Sequence, residues 1–385
     1  MAAKRTLLSW IELSRAALNR NISSLSGLTN GKIMAVSVKA NAYGHGLKEI
    51  TSILKDNTGV DYLTVHSAEE AIVCREAGWT RNIMVLGPIA LDNIDVIFDH
   101  DLEPVVFDKK FLSRLGRKAD RLGKVVRTHL KLETGTHRQG ITADELPAFA
   151  EIFRGHASLK KPYGASMHFA NIEDTTNHEY AEYQLSNFKR MVAAMGVLKI
   201  KPRIRHTASS AATILFRKTH FDMVRPGIAV YGHWPSKETY LSYRLKGGQN
   251  DLFHPVLSWK SRVTQIKHLA PDSFVGYGCT YRTTSPTHLA VLPVGYFDGY
   301  DRLLSNQAYV LIKGKRAPVR GRVCMNLIMV DITDIRGVRL EDVAVLIGAD
   351  QKERLSAEQL AEWANSINYE ILARLAPGTP RLIVP

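Results

Sequence analysis

Lys39 closes the apolar run 33–38 and stands directly before Ala40-Asn41-Ala42-Tyr43-Gly44-His45-Gly46, a loop of small residues. A lysine held at a strand tip can form a Schiff base with an aldehyde cofactor. His168 and Arg225 close two other short β-rich runs, and Pro226-Gly227-Ile228 follows the arginine. Ser209 and Ser210 open a helical pattern in Thr207-Ala208-Ser209-Ser210-Ala211-Ala212. Hydroxyls and unpaired backbone N–H groups at a helix start suit a phosphate. Gly227 lets the backbone at Gly227-Ile228 approach the same kind of anion. Each residue alone also has an ordinary reading: a solvated lysine, an N-cap serine, a loop turn, a structural histidine. Their joint placement decides between the two.

That placement follows from the elements. Between residues 10 and 230, short β-rich runs alternate with helical patterns. The expected strands are 33–39, 61–65, 82–86, 103–107, 126–132, 164–168, 203–207 and 222–225. Leu185, Phe188, Val192 and Met195 form one helical stripe; Phe111, Leu112, Leu115 and Leu122 form another. Eight strand–helix repeats predict a closed (β/α)8 TIM-type barrel, since an open doubly wound sheet gives no reason for eight. Ligand-handling residues of such barrels sit at the C-terminal strand ends. Lys39 then ends strand one, His168 strand six and Arg225 strand eight, with Ser209 and Ser210 following strand seven. These scattered residues converge on one rim, and those after strands seven and eight match the recurrent barrel phosphate site.

After residue 236 the pattern changes. Residues 236–255 read as a polar, glycine-containing linker. Short β-like runs follow at 256–266, 288–293, 308–312, 317–323, 327–332 and 343–347, with a terminal helix over 358–373. Helical crossovers are missing between most of these runs, which predicts antiparallel pairing. The expected organisation is a barrel over 10–240 and a mostly-β domain over 241–385, with residues 1–9 packed against the latter.

A chain of 385 residues exceeds the ~250–300 that one core sustains. No apolar run is long enough to span a bilayer. The start Met1-Ala2-Ala3-Lys4-Arg5 lacks the long apolar stretch of a secretory signal, so a cytoplasmic location is expected. Cys74, Cys279 and Cys324 are far apart and show no metal-ligand spacing, which argues against a disulfide framework or a metal site. The net charge of +14 comes from scattered basic residues without a dense run. It reads as a basic surface that attracts small anions rather than as a nucleic-acid face.

The segment Val38-Lys39-Ala40-Asn41-Ala42-Tyr43-Gly44-His45-Gly46 resembles the lysine motif of the alanine racemase family, whose cofactor is pyridoxal 5'-phosphate. His129-Leu130-Lys131-Leu132-Glu133-Thr134-Gly135-Thr136-His137-Arg138 resembles a second family block. There the lysine is often carbamylated and orients the arginine, which hydrogen-bonds the cofactor phenolate. Lys131 and Arg138 match; Glu133, Thr136 and His137 depart from the family's residues. Three later segments also match. Val275-Gly276-Tyr277-Gly278 aligns with the tyrosine base, Gly295-Tyr296-Phe297-Asp298 with an entrance tyrosine, and Gly321-Arg322-Val323-Cys324-Met325-Asn326 with the methionine whose N–H meets the substrate carboxylate. Asn326 replaces the family's aspartate. Pro377 stands where the family often has a phosphate-binding tyrosine, so Tyr43, Ser210 and the Gly227-Ile228 backbone are left to hold the phosphate.

The resemblance covers essentially the whole chain and implies a two-base racemisation of alanine. Lys39 serves one face of Cα and Tyr277, supplied by a second subunit, serves the other; the enzyme is then a homodimer making D-alanine for peptidoglycan. His168 packs its flat face on the cofactor ring. Arg225 cannot give up its proton, so donation to the pyridine nitrogen keeps that nitrogen unprotonated and the ring a weak electron sink. A decarboxylase would want an acid there. Alternatives on the same architecture are a serine or broad-specificity racemase, or a cofactor-binding protein without turnover, a kind that lacks the β domain.

Overall fold

The computed structural model describes residues 6–248 and 251–385. Residues 1–5 and 249–250, parts of the expected terminal arm and linker, lie outside the described residues. The chain divides into two compact units. A barrel unit comprises Leu18–Ala40 and Ile50–His254; a β unit comprises the described residues up to Ala17, Asn41–Glu49 and Pro255–Pro385.

Strand β1 (Ser9–Ser14) belongs to the β unit. The barrel unit is built from β2 (Ile33–Ser37), β3 (Tyr62–Val65), β4 (Asn82–Val85), β5 (Leu102–Val106), β6 (His129–Lys131), β7 (Gly164–Ser166), β8 (Ile204–Ala208) and β9 (Met223–Val224). All neighbouring pairs are parallel, and β9 closes on β2 through Ile33 opposite Met223 and Met34 opposite Val224. The predicted eight-stranded barrel is therefore present. β3 and β4 are mostly apolar, as strands covered on both faces tend to be, while β5, β6 and β8 carry Glu103, His129 and His206. Ala35, Tyr62, Met84, Val105, Ile204 and Met223, one from each of six strands, form a buried cluster inside the ring.

Helices fill the crossovers. Leu185, Phe188 and Met195 are buried on the helix Glu179–Val197, as their spacing predicts. On Lys109–Leu122 the buried stripe runs through Phe111, Leu112, Leu115 and Ala119, while Leu122 is 43% exposed at the last residue. The expected linker contains a helix, Lys237–Leu245. Ser236 starts it by accepting the Thr239 N–H at 2.9 Å, a capping signal that the polar composition concealed.

In the β unit the strands are β10 (Leu257–Arg262), β11 (Gln265–Leu269), β12 (Phe274–Val275), β13 (Tyr281–Arg282), β14 (Thr287–Leu292), β15 (Tyr309–Ile312), β16 (Lys315–Pro318), β17 (Ile328–Asp331), β18 (Val343–Asp350), β19 (Glu353–Leu355) and β20 (Arg381–Val384). The main sheet runs β16-β15-β18-β10-β1-β20, with β19 on β18; β11-β14-β17 form a second sheet and β12-β13 a hairpin. Pairing is antiparallel except between β1 and β20. The expected helix over 358–373 is two helices, Ala357–Trp363 and Asn368–Ala373. The break follows Asn365, whose φ of 49° is left-handed and ends the first helix.

Candidate active site

Four expected rim residues lie just past their strands. Lys39 comes two residues after β2, His168 two after β7, Arg225 one after β9, and Ser209 directly after β8. At the end of β2 the backbone still bonds to its neighbours, the Ser37 N–H to Pro226 O and the Val38 N–H to Thr64 O. Beyond Lys39 the backbone turns left-handed, with φ of 53°, 54°, 54° and 53° at Ala40, Asn41, Ala42 and Tyr43. Such a turn costs about 1–2 kcal/mol per non-glycine residue, so the surroundings must hold it. On the barrel side, the Ala40 N–H donates to Glu70 Oε1 at 2.6 Å. In the β unit, the Leu47 N–H donates to Asn41 Oδ1 at 2.8 Å and Arg381 Nη2 donates to Gly44 O at 2.8 Å.

Within the barrel unit, Lys39, Lys131, Arg138, His168 and Arg225 share one electrostatic neighbourhood. Burial, then the Arg138 charge, lowers the pKa of Lys39; Glu70 and Glu173 oppose this. Lys131 is pushed well below the ordinary lysine range by burial and by Arg225 and Arg138. His168 is likewise driven well below the ordinary histidine value by burial and by Lys131, Arg225, Arg138 and Lys39, so it is a neutral ring. Arg225 is pulled down to about 10 by burial alone and stays a cation at neutral pH. Its Nη1 donates to His206 O and lies 2.6 Å from His206 Nδ1; its Nη2 donates to Met167 O at 2.8 Å. Arg138 is exposed, on a loop shaped by Glu133. Burial raises the Glu133 carboxyl, but N–H groups of Gly135, His137 and Thr136 outweigh it and hold the group below its usual value.

Ser209 occupies the cap position of the helix Ser210–Leu215, yet its side chain makes no capping bond. Ser210 Oγ accepts the N–H groups of Gly227 at 2.8 Å and Ala229 at 3.3 Å. Gly227, expected to offer its N–H to an anion, gives it to this hydroxyl. Ser210 still has its own proton to donate, and Ile228 follows at the start of the 3-10 turn Ile228–Tyr231.

The β unit holds Tyr43, Tyr277, Tyr296 and Met325. Tyr277 is 71% exposed, between Gly276 and Gly278, whose φ values are 73° and 71°. A Cβ on Gly278 would lie 2.9 Å from Arg322 Nη1, and one on Gly321 2.4 Å from Val275 O. These glycines let the tyrosine turn pack directly on the Gly321-Arg322 turn. The N–H of Tyr296 donates to Cys324 O and that of Phe297 to Met325 O, both at 3.0 Å, which ties the Tyr296 and Met325 segments together. Tyr43 has its ring 6.1 Å from that of Tyr369.

Sequence reasoning did not single out Glu70, Glu103 or His206. The signal for His206 was available: Ile204 points into the barrel, and position i+2 on a strand faces the same way.

Residues 13–235 match the family described as alanine racemase, N-terminal domain, and residues 256–383 match alanine racemase, C-terminal domain. The chain belongs to the alanine racemase family. Curated relatives include an alanine racemase of Leptospira interrogans, 36% identical over 99% of this chain and 97% of the relative. Another, from Halothermothrix orenii, is 38% identical over 97% of this chain and 96% of the relative. Among solved structures, the alanine racemase of Bacillus anthracis with bound L-Ala-P superposes with a TM-score of 0.91 at 31% identity, over 100% of this chain and 96% of that one. The family assignment makes the chain an isomerase of the racemase class. It also accounts for a neutral imidazole, a low-pKa lysine and a permanent cation gathered at one barrel rim, where amino-acid Cα–H chemistry needs a base and fixed charge.

Proposed function

We propose that the chain interconverts L- and D-alanine with pyridoxal 5'-phosphate as cofactor, using Lys39 and Tyr277 as bases on opposite faces of Cα. The gathering of Lys39, His168, Ser209 and Arg225 just past the ends of four barrel strands carries this reading, because it brings an amine, a flat ring and a fixed cation to one rim. The donor set fits the cofactor. Lys39 Nζ would hold it covalently; Ser209, Ser210, Tyr43 and the Ile228 N–H suit a phosphate, with the Gly227 N–H already bonded to Ser210 Oγ. His168 offers a neutral ring face, Arg225 a permanent donor for a ring nitrogen, and Arg138 a cation for a phenolate. The chemistry such a cofactor would supply here is an electron sink that makes a substrate Cα–H acidic. Lys39 then moves a proton at one face and the Tyr277 hydroxyl at the other. Arg138 and the Met325 N–H hold the substrate carboxylate, and Tyr296 lines the entrance. Burial and the charges of Arg225 and Arg138 shift Lys131 toward the neutral form that reacts with carbon dioxide, and a carbamate there would place a negative charge beside two cations.

A second copy supplies Tyr277, making a homodimer. Phe274, Tyr277, Phe297, Leu303 and Met325, each more than half exposed in the β unit, give that dimer an apolar surface. The barrel and the β unit act as separate domains, the chain leaving the first after His254 rather than near the expected residue 240. No helix among the described residues is long and apolar enough to cross a membrane; we place the enzyme in the cytoplasm, supplying D-alanine for peptidoglycan.

The test is chiral analysis of the purified protein with the cofactor against L-alanine, L-serine and L-lysine. Alanine should racemise fastest. Lys39→Ala should abolish both directions and the visible absorbance of the holoprotein; Tyr277→Phe should cripple turnover and keep that absorbance. Full activity in Tyr277→Phe would refute the two-base assignment.

A further inference from the structure

Behind Arg225 a line of buried polar groups crosses the barrel interior. His206 Nδ1 lies 2.6 Å from Arg225 Nη1, His206 Nε2 lies 2.9 Å from His129 Nδ1, and His129 Nε2 lies 2.9 Å from Glu103 Oε2. Glu103 is 1% exposed and both imidazoles are fully buried. The other carboxylate oxygen, Oε1, accepts from Arg127 Nη2 at 2.7 Å and from the Tyr62 hydroxyl at 3.5 Å. The four residues come from β5, β6, β8 and the end of β9. His129 and His206 meet across β7, whose residue opposite His129 is Gly164. A Cβ there would lie 2.1 Å from His129 Nδ1, so only glycine leaves room for the contact.

The two ends force a single direction on the line. A guanidinium only donates hydrogen bonds, and an ionised carboxylate paired with Arg127 only accepts them. Arg225 therefore donates to His206 Nδ1, His206 Nε2–H to His129 Nδ1, and His129 Nε2–H to Glu103. Both imidazoles must be neutral and carry their proton on Nε2. Among the described residues no carboxylate is recorded in contact with Arg225. The guanidinium plane is fixed by these bonds, Nη1 to His206 Nδ1 and O and Nη2 to Met167 O, and the His206 ring is itself held through His129 by Glu103.

We propose that Glu103 is a positioning residue for the reaction, acting through His129 and His206 to hold the Arg225 guanidinium in one orientation. This rests on the reading that Arg225 faces the cofactor ring. An outer-sphere group of this kind is worth about 10–100-fold in turnover.

The experiment has two arms that fail separately. In the first, ring nitrogens of [15N]histidine-labelled protein without cofactor are observed by NMR and assigned with single His→Gln variants. Both His129 and His206 are expected as neutral rings with a protonated Nε2; an imidazolium or an Nδ1–H form at either position overturns the proposal, whatever the enzyme's activity. In the second, Glu103→Gln, whose amide cannot accept from Arg127 and His129 together, is compared with wild type. The expected result is a changed His206 ring spectrum and a kcat lowered about 10–100-fold with a smaller change in KM. Wild-type kcat together with an unchanged His206 spectrum overturns the proposal. If Glu103→Gln does not fold, Glu103→Asp, which withdraws the carboxylate by one methylene, carries the same expectation and the same refutation.

Discussion

Ser210→Ala and Ser209→Ala separate a serine that supports the fold from one that is spare. Ser210 is 3% exposed and its oxygen serves two backbone donors, Gly227 N at 2.8 Å and Ala229 N at 3.3 Å. Removing the hydroxyl orphans both. A buried unsatisfied donor costs about 1–3 kcal/mol; the second bond is long, so the pair together is worth about 2–4 kcal/mol. For a domain of barrel size, 1 kcal/mol moves the midpoint by about 2–4 °C, which gives a fall of about 4–16 °C. Ser209 makes no capping bond, so its replacement should leave the protein without cofactor within about 0.5 kcal/mol of wild type. The assay is differential scanning calorimetry of both variants, first without and then with pyridoxal phosphate. Both should lose part of the stabilisation that the cofactor adds, because both hydroxyls suit its phosphate. Without cofactor only Ser210→Ala should melt early. If Ser210→Ala melts with wild type in that state, the hydroxyl does not support the Gly227 turn and the reasoning fails.

Three further outcomes follow from other residues. Gly44 has φ +80° and a Cβ there would lie 1.8 Å from Leu372 O, so Gly44→Ala should fold poorly or melt well below wild type by circular dichroism; an unshifted midpoint would refute the tight approach. His168 and His206 are held well below 6.5 in the fold, by burial first and then by neighbouring cations. Below about pH 6.5 the unfolded chain binds protons that the fold excludes, so stability rises with pH through that window and falls on acidification. Urea titrations of the cofactor-free protein should show His168→Gln with a shallower acid loss than wild type, and equal slopes would count against it. Finally, Pro377 is exposed, and the resemblance to the family expects a phosphate-binding tyrosine at this position; dialysis should strip the cofactor readily, and Pro377→Tyr should tighten its Kd by about 10–100-fold, the worth of one hydrogen bond to a charged group. No change in Kd would show that the position is not used here.

The barrel was legible because short β-rich runs alternate eight times with helical stripes, and the residues suited to ligand chemistry fall at or just past the ends of those runs. Lys39, His168, Ser209 and Arg225 could be placed that way to within two residues. What the sequence hid has specific causes. Ser9–Ser14 pairs with Leu257–Arg262, some 250 positions away, and no local pattern encodes a partner at that distance. Ser236 looked like one more polar linker residue because a cap is a single hydrogen bond rather than a periodicity. The left-handed turn at Ala40–Tyr43 runs against local preference at every residue, with only Gly44 and Gly46 nearby to suggest it. That conflict is informative. Four ordinary residues keep an unfavourable backbone only where their surroundings over-determine it, and here the Glu70 carboxylate, the Asn41 amide and the Arg381 guanidinium each bind a main-chain group in or beside the turn. The turn begins one residue after Lys39. Relaxing it to a right-handed helix would send the chain after Lys39 along a different path and break the Ala40 N–H bond to Glu70, so the strain is borne immediately beside the lysine at the barrel rim.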